Sequence, residues 1–288
     1  MPFDALMLVL VAALLHALWN FLAKDARDSS AFMWWGVTIG AAWYAPFVAA
    51  QTSLAMPLEA WRFFLPSLAM EIAYVAFVTR GYANGDLSQV YPIARGAPPL
   101  FIALWSALFL AERLPLLGYA GITLLIFGIY LASLPTLADF WKPLRSLRHR
   151  PTQFALVAAV CVSIYSTLDK LGVAYTTPQV YNAWVYLGIA VGYAPFVWAR
   201  EQRASAAREW RMNWRRILLG SVTTVGSYWL ALTGMALTSA SYVGAVRATS
   251  VVIGALLGWW WLREKFGAVR VIAAATMVAG LVLIAAAK

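Results

Sequence analysis

Charge is scarce in this sequence, and so are the residues that build most catalytic centres. Only 12% of the residues are charged and 62% are apolar, against roughly 25% and 45–50% in soluble proteins. A soluble chain of 288 residues would need far more polar surface. The one cysteine, Cys161, rules out an internal disulfide. It lies in an apolar stretch and reads as a small packing residue. There are only two histidines. There is also no His-Glu-x-x-His, no Gly-x-Ser-x-Gly and no glycine-rich phosphate loop, so an enzyme is unsupported. No metal ligand set and no cofactor is expected.

What the chain has instead is long apolar runs, each close to the ~20 residues that span a hydrocarbon core. Mean hydropathy is +0.72. Ten spans are expected, near 3–23, 31–50, 63–83, 87–110, 116–134, 153–172, 179–199, 215–237, 240–262 and 268–287. The first run, Phe3–Ala23, is too long for a signal-peptide core, lacks a basic leader and reads as a mature helix.

The chain also repeats itself. Tyr-Ala-Pro-Phe-Val occurs at Tyr44–Val48 and again at Tyr193–Val197, 149 residues later. Arg95 and Glu112 recur 152 residues on as Arg247 and Glu264, and Lys24 recurs as Lys170. The domains are read as 1–138, spans one to five, and 152–288, spans six to ten, joined by a basic, proline-bounded linker at 139–151. Five spans per unit is an odd number, so two similar units enter the membrane from opposite sides. The expected fold is all-α and integral to the membrane, with ten transmembrane helices as two inverted-topology five-helix repeats.

The net charge of +10 is distributed by side. Four Lys or Arg fall on the side holding both termini, sixteen on the other, and two, Arg95 and Arg247, inside spans. The basic side is expected in the cytoplasm and the termini outside. The excess charge is then a sidedness signal and an attraction to anionic membrane lipid, with no nucleic-acid partner. Trp210 and Trp214 stand beside Arg211, Arg215 and Arg216, which suggests a helix lying flat on that surface.

The stretch Tyr74–Leu114 resembles the EamA-type repeat of the drug/metabolite transporter superfamily. It has an aromatic third helix, a small-residue turn at Ala83-Asn84-Gly85-Asp86-Leu87-Ser88, a fourth helix with Pro98-Pro99, and the ending Leu110-Ala111-Glu112-Arg113-Leu114. Ala240-Ser241-Tyr242 and Leu262-Arg263-Glu264-Lys265 echo it, as do Trp19 before Lys24 and Tyr165 before Lys170. The resemblance covers the whole chain. It implies export or exchange of small metabolites by alternating access across the inner membrane, in the manner of the aromatic amino acid exporters. The first helix lacks the mid-span glutamate through which the small multidrug relatives couple protons, so their mechanism does not carry over. His16 lies in that region instead.

Charges inside spans cost ~2.5–3.5 kcal/mol on insertion scales and need a reason. Glu71 lies mid-way along the third span, where it would carry a proton, bind an ammonium group, or pack as a hydrogen-bonded carboxylate. Arg95 and Arg247 form a symmetric pair that could grip a carboxylate or phosphate, stabilise alternate gates, or snorkel to the surface. His16, Trp19 and Asn20 share a face of the first helix, and Ser163, Tyr165, Ser166 and Asp169 occupy the matching stretch of the sixth. Tyr74, Tyr82, Tyr91, Tyr228 and Tyr242 lie on spans that resemble the family's cavity-forming helices, where they would suit an aromatic side chain or an organic cation. Pro46 and Pro195 are expected to kink the second and seventh helices. Gly36-x-x-x-Gly40 and Gly188-x-x-x-Gly192 allow close helix approach.

The expected function is a carrier of small metabolites, foremost aromatic or other neutral amino acids. The alternative is an exchanger of sugar phosphates or phosphonates clamped by Arg95 and Arg247. A channel would lack saturable, trans-stimulated flux. Both a monomer and a dimer are compatible with the sequence.

Overall fold

The structure is a computed structural model that describes residues 1–23, 26–84, 94, 96–132, 134, 136–145, 148–199, 203–254 and 268–287, without the side chains of 82–84, 268 and 270. Every regular element among them is helical. The first unit holds α1 (Phe3–Ala23), α2 (Ser29–Ala49), α3 (Leu58–Asn84), α4 (Pro98–Phe109) and α5 (Leu116–Ala132). A 3-10 turn (Leu137–Asp139) and the short α6 (Lys142–Arg145) occupy the junction. The second unit holds α7 (Arg150–Gly172), α8 (Pro178–Val197), α9 (Arg203–Leu237), α10 (Ala240–Arg247) and α11 (Ala268–Ala286).

The starts are written locally. Asp28 caps α2 by accepting from the Ala31 N–H at 3.0 Å. Thr177 caps α8, whose first residue is Pro178. Pro98-Pro99 opens α4, where two missing N–H groups cost nothing.

Among the described residues five helices are long and apolar enough to cross a membrane: α1, Leu58–Gly81 of α3, α7, α8 and Arg203–Leu237. α4 and Val271–Ala286 are shorter and equally apolar. The outer surface carries Phe3, Leu65, Leu104, Val191 and Val278, all well exposed, while Ser67, Glu71, Asp169, Asn182 and Ser227 are buried. A surface that is apolar outside and polar inside suits lipid and not water.

The helix pairing is symmetric under exchange of the two units. α3 packs on α7, and the corresponding pair α1 and α9 also packs. α4 meets α7 as α1 meets α10, and α9 meets α2 as α3 meets α8. α2 with α8, α4 with α10 and α5 with α11 pair each helix with its own counterpart. This is the contact pattern of a pseudo-two-fold axis passing between the repeats. At α5–α11 the backbones nearly touch: a Cβ on Gly121 would lie 2.8 Å from the Gly280 carbonyl oxygen.

Three expectations change in detail. The ninth span is not continuous: α10 ends at Arg247, a turn follows at Ala248–Thr249, and helix resumes at 250–254. The fourth span bends at Ala97, the matching position one repeat earlier. Both breaks come within two residues after the repeated arginine. Next, α9 begins at Arg203 and kinks at Asn213, where φ is −121°. Trp210 does not point outward with Trp214. It packs inward on Trp35, ring centroids 5.0 Å apart, because buried Glu209 ties the segment to the Asp28 N–H and Asn213. Finally, Pro46 and Pro195 sit within the last turns of α2 and α8, where little helix remains to be bent.

Candidate functional site

α3 and α7 run antiparallel. Phe63 stacks on Tyr175, Ser67 meets Asp169, Tyr74 meets Tyr165, and Phe77 meets Phe154. Glu71, one turn beyond Ser67, therefore enters the space beside Asp169. It stands thirteen residues from either end of α3 and is 4% exposed.

Asp169 is fully buried and satisfied. Its Oδ1 accepts from the Ser67 hydroxyl at 2.5 Å and the Tyr181 hydroxyl at 2.8 Å, and its Oδ2 accepts from the Tyr228 hydroxyl. Three hydroxyl donors offset part of the cost of burying this side chain.

Glu71 is different. It adjoins Tyr228 and lies within electrostatic range of Asp169 and Arg247, but its Oε2 is buried without a hydrogen-bond partner among the described residues. Arg247, at the C-terminus of α10, lies over the Tyr228 ring at 4.9 Å. Among the described residues it makes no ion pair. Tyr165 bridges Tyr74 and Tyr228, with ring centroids 6.2 and 6.4 Å apart. The result is a cluster of buried acids, Glu71 and Asp169, with a half-buried Arg247 that has no ion pair among the described residues, beside Tyr165, Tyr228 and the half-buried Tyr74. Such a set can grip a small molecule bearing both charges.

The structure thus brings together Glu71, Tyr74, Tyr165, Tyr228 and Arg247, and adds Asp169, Ser67 and Tyr181. Ser163 accepts from the Trp105 indole N–H at 2.9 Å, and Ser166 is buried one turn from Val162 and Asp169. Other sequence candidates lie elsewhere. Trp19 is wedged among Phe32, Gly36 and Gly220, where a Cβ on either glycine would come within 2.5 Å of the indole. The Asn20 amide folds back on the His16 carbonyl of its own helix at 2.6 Å. Tyr242 packs against Gly118 of α5, near Glu112. Tyr91, Arg95 and the side chain of Tyr82 lie outside the described residues.

Tyr181 and Ser67 carried no sequence signal beyond being polar in apolar runs. Asp169 is legible in the sequence as part of the polar stretch of the sixth span but is not among the residues singled out there as binding.

No curated protein matches this chain. A solved crystal structure shares the fold, with a TM-score of 0.75 over 98% of this chain and 96% of the other, at 18% identity. The sequence model of the EamA-like transporter family matches twice, at residues 4–134 and 151–286. The chain belongs to the EamA-like transporter family, as two copies of its repeat.

Proposed function

We propose that this membrane transporter carries small zwitterionic metabolites, foremost amino acids with aromatic or other neutral side chains, by alternating access. The observation that supports this reading is that the buried Glu71 oxygen without a hydrogen-bond partner and the Arg247 guanidinium without an ion pair, both among the described residues, lie in one cluster around Tyr228. An α-ammonium group would satisfy the first and an α-carboxylate the second. The tyrosine wall suits an apolar or aromatic side chain. Two acids and one arginine disfavour a dianion, so a sugar-phosphate exchanger ranks second. The repeats 1–138 and 152–288 would rock about the cluster, whose two acids are buried. On the loop charges, the linker and the 200–216 segment face the cytoplasm and its anionic lipid, and both termini face outward.

The test is counterflow in proteoliposomes loaded with excess unlabelled Trp, Phe, Met, Thr, Ser or one sugar phosphate. Trans-stimulated uptake of one amino-acid class is expected. Stimulation by the phosphate alone would transfer the assignment to the anion exchanger.

A further inference from the structure

One pair of charged residues outside the cluster holds the facing ends of α9 and α10. Lys170 Nζ donates to the Met235 and Thr238 carbonyls, the second at 3.0 Å, and so closes the C-terminus of α9. The Glu112 carboxylate accepts from the Ala240 N–H at 2.7 Å, the Ser241 N–H at 3.3 Å and the Ser241 hydroxyl at 2.8 Å, and so closes the N-terminus of α10. Each sign matches the helix-end charge it meets. The two also interact electrostatically across the turn between α9 and α10.

This turn joins the helices that carry the candidate site. α9 holds Tyr228 and α10 holds Arg247. α7 presents Asp169 to the cluster and its neighbour Lys170 to the turn. The approach to Glu112 is itself strained: Ala111 has φ 52°, the one non-glycine residue with positive φ among those described. An alanine in the left-handed region signals a conformation that the surroundings enforce. The whole arrangement lies at the end of α7 remote from the 139–151 linker. The duplication puts Lys24 and Glu264 at the corresponding sequence positions, and both lie outside the described residues.

We propose that Glu112 and Lys170 form a gate latch: their hold on the α9–α10 turn closes the membrane face opposite the linker over the Glu71–Asp169–Arg247 cluster. Transport then requires that these contacts part and re-form in each cycle. The inference rests on the transporter reading and not on the identity of the substrate.

The test uses a reporter cysteine, Ser166→Cys in a Cys161→Ala background, with a membrane-impermeant maleimide applied to intact cells and to inverted vesicles. Glu112→Gln and Lys170→Met are expected to raise labelling about tenfold from one face, since each removes charge-assisted hydrogen bonds of the closed form. Glu112→Asp is expected to restore slow labelling. One-sided labelling on intact cells supports both the latch and the outward termini. One-sided labelling in inverted vesicles supports the latch and reverses the topology. Unchanged labelling, or labelling from both faces as in a loosened fold, overturns the latch. Failure of amino acids in counterflow would remove the substrate assignment and leave this result standing.

Discussion

The pairs α3–α7 and α1–α9 occupy equivalent places in the two-fold arrangement, yet they are built from different chemistry. α3–α7 meets through Ser67, Glu71, Asp169 and a ladder of aromatic pairs, Phe63–Tyr175, Tyr74–Tyr165 and Phe77–Phe154. α1–α9 meets through close packing, with Trp19 against Gly220, Val9 against Gly234, and the Ser227 hydroxyl on the Ala12 carbonyl at 2.8 Å. Where α7 has Tyr165 and Asp169, α1 has Trp19 and Ala23 at the same distances from Lys170 and Lys24. The two units share which helices touch, while one interface carries a polar, acidic cluster and the other a packed seam.

Substitutions that exchange these characters break the comparison. The largest effect is expected for Asp169→Leu, which removes the acceptor of three hydroxyls. Transport should vanish and the folded state should lose ~1–3 kcal/mol for each buried hydroxyl left without its acceptor, read by thermal unfolding in detergent. Gly220→Val drives a branched side chain into Trp19 and should cost ~1–3 kcal/mol of stability. In the surviving protein the relative uptake of competing amino acids should stay unchanged, since the packed seam sets no specificity. Ser67→Ala removes one of three donors to Asp169 and should cost ~1 kcal/mol, seen as a several-fold change in half-saturation with expression preserved. Smallest and opposite in sign, Ala111→Gly relaxes the left-handed residue and should stabilise by ~0.5–1 kcal/mol in the same unfolding assay.

The architecture was largely legible because its signals are local or repeated: apolar run lengths, the duplicated pentapeptide and the odd span count. The site was legible in part. Glu71 and Arg247 stood out as charges inside apolar runs, Tyr165 as part of a polar stretch of the sixth span, and Tyr228 through the resemblance of its span to the family's cavity-forming helices. Asp169 was seen on its helix face but not placed in the site, because sequence adjacency to Lys170 conceals that the two side chains leave α7 in different directions. His16, Trp19 and Asn20 were grouped with the site because they share one polar face of the first helix, and the structure places Trp19 in the packed seam. Glu112 was visible as a repeated motif, but its partners Ala240 and Ser241 are 128 and 129 residues away. Spacing rules do not reach that far.

The central claim is that Glu71 and Arg247 receive the two ends of a zwitterion. It is tested by counterflow with three analogues that differ only at those ends: phenylalanine, phenethylamine, which lacks the carboxylate, and phenylpropionate, which lacks the amine. Wild type should be stimulated by phenylalanine alone, Arg247→Gln should cease to distinguish phenylalanine from phenethylamine, and Glu71→Gln should cease to distinguish it from phenylpropionate. Variants that keep the wild-type preference at reduced rate would contradict the account.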